Sequence, residues 1–326
     1  MSGTYDRGVG AVCGALVGDA AGAPLEFTLP YPEDVDHALL FGGGGPFCVG
    51  PGQGTDDSEL TMACVSGLLA NSAPAAVALA QRYDAWFDSG PFDTGATCRR
   101  AFGTGLGTGD MEARFTAVMK LNYFSKANGA LMRATPIAAR YHASPDLDSM
   151  ASLDARLSHP NPVCVDANRV YCATIAALIR TGDRAVALDL IDSMDDVEKE
   201  VRAMIAESRC GPPQDATVQA GYLKWGFTAA LAHLRLGSSY EQAIRQVLSA
   251  GGDTDTNAAI VGGVMGALWG LQGIPQAWRD AVLLPASTDE HQRPPWLSSR
   301  QFLDLAPRLL GRECPVSGGG DGGGDS

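Results

Sequence analysis

Basic residues are the first shortage in this chain: 24 Lys and Arg stand against 37 Asp and Glu, a formal net charge of −13. Nucleic acid and anionic membrane surfaces both need a concentrated basic face to release counterions, so neither is expected as a partner. Any anionic ligand must therefore be held locally. The eight cysteines include no Cys-x-x-Cys pair, and no Asn-x-Ser/Thr acceptor occurs. Free thiols in a reducing cytoplasm are expected instead of a disulfide framework. The apolar run at 258–274 stops short of the ~20 residues a bilayer span needs and is rich in glycine, so it reads as a core helix. The stretch 8–23 resembles a signal sequence only superficially, because Asp6 offsets Arg7 and Asp19 interrupts the apolar run.

Also missing are a charged or Pro/Ser-rich linker and any sustained period-two alternation. The first absence points to one large domain, about residues 5–313, and the second to an all-α fold. Residues 314–326, mostly glycine and aspartate towards the end, cannot bury enough apolar surface to order themselves and read as a tail. With no heptad run, a monomer is expected.

Helical spacing places Val77, Ala80, Tyr83 and Phe87 on one face, and Tyr222, Trp225, Ala229, Ala232 and Leu236 on another. Ser238 before Glu241 and Ser298 before Gln301 have capping-box spacing, Pro74 suits a first helical turn, and stops are expected at Gly182, Gly237 and Gly273. Two glycine-dense loops, 41–54 and 102–109, are long enough to form a mouth or lid.

What the chain does have is two acidic clusters, Gly54-Thr55-Asp56-Asp57-Ser58-Glu59 and Gly251-Gly252-Asp253-Thr254-Asp255-Thr256-Asn257, each ahead of an apolar stretch of helical spacing. Each has a plain explanation as a helix start, with Asp56 three residues before Glu59, and Thr254 or Asp255 before Asn257. Brought together, however, carboxylates this dense require a multivalent cation or raised pKa values. An EF-hand does not fit, since Ala258 replaces the required glycine and Val264 the bidentate glutamate. Nor does a phosphate loop, since 42–54 lacks Gly-Lys-Ser/Thr, and Gly103-Thr104-Gly105-Leu106-Gly107 follows no hydrophobic strand. Oxygen donors without a neighbouring His or Cys suit a hard cation over zinc, and five carboxylates counting Glu26 could hold two Mg²⁺ or Mn²⁺.

Four strings in register, Gly18-Asp19-Ala20-Ala21-Gly22-Ala23-Pro24-Leu25-Glu26, Thr55-Asp56-Asp57, Asn128-Gly129-Ala130-Leu131-Met132-Arg133 and Gly252-Asp253-Thr254-Asp255-Thr256, resemble the ADP-ribosylglycohydrolase family, from about Arg7 to about Leu310. The resemblance implies a single orthogonally packed multi-helix domain. It also implies a two-metal centre that removes ADP-ribose from a modified group, commonly a protein arginine or serine. Thr55, Asp56, Asp57, Asp253, Asp255 and Thr256 match the family's metal ligands, and Glu26 its mobile glutamate beside the metals. Asp93, in Asp93-Thr94-Gly95-Ala96-Thr97, matches an aspartate placed near the scissile ribose in members acting on ADP-ribosylarginine. Asn128, Gly129 and Arg133 match the phosphate-side loop, expected to anchor the diphosphate. His159 matches a cleft segment, and Tyr222 an aromatic near the nucleoside, though its spacing with Trp225 suits core packing equally. The chain departs from the pattern at Ala127, where several relatives carry glycine directly before the asparagine. On this resemblance Asp57, with Glu26 and Asp93, serves the chemistry.

Two other classes were weighed. A non-catalytic relative, either an ADP-ribose-binding module or a crystallin-like structural protein, would share the fold, and intact acidic clusters weigh against it. A helical Mg²⁺-diphosphate enzyme of the prenyl type is suggested by Asp56-Asp57 alone, but Ser58, Glu59 and Leu60 break the required DDxxD.

Overall fold

Glycine decides where the centre of this fold lies. The structure, a computed structural model, describes residues 3–70, 73–284 and 291–311; the Gly/Asp-rich tail at 314–326 lies outside them. The described residues form sixteen α-helices: Gly3–Gly22 (α1), Pro32–Ala38 (α2), Asp56–Leu68 (α3), Ala75–Asp88 (α4), Ala96–Phe102 (α5), Met111–Asn122 (α6), Thr135–Tyr141 (α7), Leu147–Arg156 (α8), Pro162–Thr181 (α9), Arg184–Asp192 (α10), Lys199–Glu207 (α11), Lys224–Leu236 (α12), Tyr240–Ser249 (α13), Thr254–Trp269 (α14), Gln276–Leu283 (α15) and Phe302–Leu309 (α16). Among them only isolated β-bridges occur, and no sheet. The all-α expectation holds.

Helices α1 and α14 run antiparallel with their backbones in contact. A Cβ on Gly10 would lie 2.4 Å from the Gly266 carbonyl oxygen, one on Gly14 2.2 Å from that of Gly262, and one on Gly18 2.1 Å from that of Ala258. At Gly22 the same test meets Asp255 Cα at 2.4 Å. Four glycines at i, i+4 spacing thus form one flat stripe that only hydrogen atoms can occupy. The pair is buried all round, from Gly8 to Gly22 on α1 and from Thr254 to Ala267 on α14. That is why neither shows an amphipathic stripe. Tyr240 and Tyr171 lock the pair from outside, donating their hydroxyls to the carbonyls of Gly14 at 2.7 Å and Ile260 at 2.8 Å.

Gly3–Leu25 and Pro162–Thr181 are long and apolar enough to cross a membrane by length and composition, but they are 94% and 72% buried inside this fold. The segment with a superficial signal-sequence look is therefore the central core helix.

Element boundaries differ from the sequence reading by about a turn. The capping box falls on Ser239 and Gln242, one residue beyond Ser238 and Glu241, and Ser298 starts only a short 3-10 turn before α16. Pro74 is the N-cap of α4 and not within its first turn. Gly182 and Gly237 end α9 and α12 in the left-handed conformation as expected, whereas α14 already ends at Gly270, short of Gly273. The buried line of α4 is Leu79, Ala80, Tyr83 and Trp86, with Val77 and Phe87 only half-buried, and on α12 Leu236 is exposed.

Candidate metal centre and cleft

The close approach of α1 and α14 ends at the site. Thr254 Oγ1 donates to the Gly22 carbonyl at 2.8 Å, fixing the first turn of α14 against the last turn of α1. Just before that turn, Phe27 N donates to Gly252 O at 2.6 Å and Gly252 N to Thr28 O at 2.9 Å, which sets Glu26 beside Asp253 and Asp255. Helix α3 is brought in by Asp19. This fully buried carboxylate accepts from Thr55 N at 3.0 Å, Ser58 N at 2.9 Å and Thr55 Oγ1 at 2.9 Å. A residue on α1 therefore caps α3 from 36 positions away, and the α3 N-cap Thr55 makes no side-chain cap bond itself. Asp253, at the start of α14, makes none either. The helix-start explanation of both clusters fails, and their carboxylates are left for something else.

They converge. Thr55 Oγ1 lies 2.9 Å from Asp19 Oδ1, 3.2 Å from Asp255 Oδ2 and 3.4 Å from Asp57 Oδ2, and Thr256 Oγ1 lies 3.2 Å from the same Asp57 oxygen. The threonine hydroxyl has one proton for three carboxylate oxygens, so it cannot satisfy them all. Glu26 Oε2, Asp57 Oδ1 and Asp255 Oδ1 are buried without a hydrogen-bond partner among the described residues. Oxygens of Glu26, Asp93 and Asp255 fall within 4.8 Å of one another. Asp56 turns towards the Asp93 loop and accepts from Gly95 N at 3.3 Å.

Burial, and then the neighbouring negative charges, drive the titration of this group upward. Glu26 is raised to about 9 by burial and by Asp93, Asp253 and Asp19, and Asp93 to about 6, chiefly by burial. Asp56, Asp57 and Asp255 are held well above the usual carboxylate range by burial, with Asp93, Asp19 and Glu26 respectively as the strongest charged neighbours. Orphaned acceptor oxygens, an all-oxygen donor set and mutual repulsion are together what a hard divalent cation relieves. The residues present fit such an ion.

The centre opens into a cleft of about 530 Å³ lined by Glu26, Phe47, Asp56, Phe92, Asp93, Asn128, Gly129, His159, Asp253, Asp255 and Thr256 among others, within the size range of small-ligand sites. Both committed donors of Asn128 fix the loop: its N–H goes to Gly221 O at 3.1 Å and its Nδ2 to Asp253 Oδ2 at 2.8 Å. Gly129 keeps the floor low, since a Cβ there would sit 3.1 Å from His159 Cε1 and 3.2 Å from Cys98 Sγ. Among the described residues His159 Nε2 is buried without a partner, and its ring is held well below the usual histidine range by burial and by Arg133 and Arg100, which favours the neutral form.

Two expected site residues lie elsewhere. Arg133 is 0% exposed and faces the core, where it donates to Gly129 O at 2.9 Å, Asp154 O at 2.9 Å, Ser158 Oγ at 2.8 Å and Asp154 Oδ2 at 3.2 Å, over the Tyr83 ring. Four of its five N–H donors go to Gly129 O, Asp154 and Ser158, so it braces that loop from the core side and does not line the cleft. Tyr222 does not line the cleft either. It borders an adjacent open recess with Phe27, Phe124 and Lys126, its hydroxyl bonded to Glu200. Of the two glycine loops, 41–54 contributes Phe47 to the cleft, whereas 102–109 does not line it and packs on α6 through Gly107 O and Arg114. The residue to which sequence reasoning gave no role is Asp19, which appeared there only as a charge inside a small-residue stripe and as one position of a matching string.

Fold and site together define an all-helical protein with an acidic cleft where the contact between two glycine-faced helices ends. The ADP-ribosylglycohydrolase sequence profile matches residues 1–314, and the chain belongs to that family. A putative ADP-ribosyl glycohydrolase of Acanthamoeba polyphaga mimivirus is 28% identical over 92% of this chain and 98% of its own length. The ADP-ribosyl-[dinitrogen reductase] glycohydrolase of Rhodospirillum rubrum is 27% identical over 84% of this chain and 89% of its own. A solved ADP-ribosylglycohydrolase-related protein complex superposes with a TM-score of 0.77 at 28% identity, covering 95% of this chain and 99% of that one.

Proposed function

We propose that this chain hydrolyses the glycosidic bond between ADP-ribose and a modified acceptor, a protein arginine or serine side chain or a small ADP-ribosyl compound, with two Mg²⁺ or Mn²⁺ ions. The observation that carries this reading is the set of orphaned, buried oxygens on Glu26, Asp57 and Asp255 at the head of a cleft of nucleotide-sugar dimensions. Family membership and the activities for which the R. rubrum glycohydrolase and other relatives are named support the reaction class. A purely structural role gives no reason to keep uncompensated carboxylates at the bottom of a cleft, where each one costs stability.

Thr55, Asp56, Asp57, Asp253, Asp255 and Thr256 are the residues that would hold the ions, which when bound supply charge neutralisation, grip on ribose hydroxyls and Lewis acidity. The rest falls to the chain itself. Cleavage at the anomeric carbon needs a proton for the departing atom and a water directed at the ring. Glu26 and Asp93 are the two carboxyl groups that face each other across the mouth of the cluster, and either can hold that proton. In one tautomer of His159, Ser158 Oγ accepts from Arg133 and donates its hydroxyl hydrogen bond to Nδ1 at 2.8 Å. Nε2 then carries hydrogen and offers a neutral donor to a ligand oxygen in the cleft. Asn128 and Gly129 shape the floor on which the diphosphate is expected to lie.

The test is a panel of defined ADP-ribosylated substrates assayed with Mg²⁺ and Mn²⁺ separately, beside calorimetry with ADP-ribose. Release by the wild-type chain and its loss in Asp57→Ala are expected. Full activity in Asp57→Ala refutes the scheme, and ADP-ribose binding without release from any substrate would make the chain a binding module.

A further inference from the structure

We propose that Arg293 is a positioning residue that fixes where Asp93 meets the acidic cluster, by clamping the end of α4 to the first turn of α3. The inference rests on the reading above, in which Asp93 works at the ribose.

Arg293 makes no contact with the cleft. Its guanidinium donates through Nε to Glu59 Oε1 at 2.6 Å and through Nη2 to Glu59 Oε2 at 3.0 Å and Ser89 Oγ at 2.8 Å. Nη1 donates to the carbonyls of Ser89 and Gly90, both at 3.0 Å. All of the guanidinium's N–H donors are thereby used. Glu59 is buried two residues after Asp57 on α3 and also accepts from Trp86 Nε1 at 2.7 Å. Ser89 is the C-cap of α4, and Gly90, at φ +67°, reverses the chain into the segment that carries Asp93. One planar group thus holds together the helix that presents Asp56 and Asp57 and the turn that delivers Asp93.

The strap that carries Arg293, residues 291–293, adds a second clip. The His291 ring stacks on Phe92, the residue before Asp93, at 4.1 Å and 12°, while its Nε2 donates to Phe47 O at 2.6 Å. Gln53 pins the strap backbone, donating Nε2 to His291 O at 2.8 Å and accepting from His291 N at 3.3 Å. On its far side the Asp93 segment is tied by Gly95 N to Asp56 at 3.3 Å and by Arg99, whose Nη2 donates to Thr94 O at 3.2 Å and whose N donates to Gly95 O at 2.9 Å. Without the clamp, Asp93 would be held from the α5 side and by Asp56, with nothing fixing the turn at Ser89 and Gly90 to α3. A lysine could keep the charge beside Glu59 but could not span a carboxylate and two carbonyls at once.

The test compares Arg293→Lys, which leaves Glu59 a cation, and the double variant Arg293→Met/Glu59→Gln, which leaves no buried charge, with the wild-type full chain. Amide hydrogen exchange across 89–95 is expected to speed up by about tenfold or more in both while amides of α1 and α14 keep their protection. Calorimetric affinity for Mn²⁺ should stay within about twofold, and on a substrate the wild type cleaves, kcat should fall about tenfold with KM within about threefold. Combining Arg293→Lys with Asp93→Asn should add little to Asp93→Asn alone. Unchanged exchange in 89–95, or loosening spread equally over α1 and α14, overturns the positioning role. A wild-type chain that cleaves nothing on the panel overturns the proposed activity instead, and the exchange measurement still decides whether Arg293 holds the loop.

Discussion

If the acidic centre takes divalent cations, metal binding must expel protons. Burial and the charges of Asp93, Asp253 and Asp19 hold Glu26 up at about 9, and burial lifts Asp93 to about 6. A carboxyl whose folded pKa lies above its unfolded value binds extra protons in the folded chain. Its contribution to stability is complete below the unfolded pKa and is lost as pH rises through the folded one. For Glu26 that window runs from the ordinary carboxyl value of 4.5 up to about 9. The metal-free protein should therefore lose stability steadily as pH rises from about 5 to about 8.5, and saturating Mg²⁺ or Mn²⁺ should remove that slope. At about pH 7 a group titrating near 9 is about 99% protonated and one titrating near 6 about 10%, so Glu26 and Asp93 alone would release about one proton, and Asp56, Asp57 and Asp255, which are also held up, add to it. Metal affinity should then rise by at least about tenfold per pH unit, at least about 1.4 kcal/mol, over roughly pH 6.5–8.5. Calorimetry on chelator-treated protein, in two buffers of different ionisation enthalpy, reads the proton count directly. A pH-independent affinity with no buffer-dependent heat would show that the carboxylates are already ionised without a cation, and the argument from crowding would fall.

Two further outcomes test the frame around the site. In Gly14→Val a Cβ would lie 2.2 Å from the Gly262 carbonyl oxygen with only backbone nearby to yield, so urea unfolding should show a loss on the order of 3 kcal/mol. Gly42→Ala, where a Cβ meets nothing within 4 Å, should stay within about 0.5 kcal/mol, and equal effects would mean that α1 and α14 are not in backbone contact. Arg133→Met should cost about 3–5 kcal/mol by stranding Asp154, yet leave the ADP-ribose affinity of the folded protein within about threefold. A loss of affinity beyond about tenfold with the fold intact would return the guanidinium to the diphosphate.

Much of the helical content was legible because local signals act over a few residues. The left-handed ends of α9 and α12 at Gly182 and Gly237 are local facts, and they stand where the glycines are. Periodicity failed on the two central helices for a physical reason. A helix buried on every side has no polar face to break its pattern, so 8–23 bears a superficial likeness to a signal sequence, while 258–274 was readable as a core helix but not in its bounds, which are Thr254–Trp269. The four-residue glycine spacing of α1 was visible, but its meaning depends on Gly262 and Gly266, which lie on a helix more than two hundred residues away.

The site divides along the same line. Oxygen-rich clusters announce themselves because their charge density is local, and Asp57 and Asp255 do come together, one Thr55 hydroxyl lying within reach of both. Orientation is not local. Arg133 sits in a glycine-bearing loop string that looks made for a phosphate, yet Asp154 and Ser158, on and just beyond α8, draw its guanidinium into the core. Asp19 looks like a flaw in an apolar run and turns out to cap α3. Glu59 seems one more acid of the first cluster but points away from it, to Trp86 and Arg293. In each case a residue type that suggests chemistry is held by a partner at long sequence separation. A buried polar group takes the partner that satisfies most of its bonds, since leaving it unmatched costs ~1–3 kcal/mol, more if charged. The unmatched groups that also belong to the acidic centre or line its cleft, Glu26, Asp57, Asp255 and His159, are therefore the ones to which function should be assigned first.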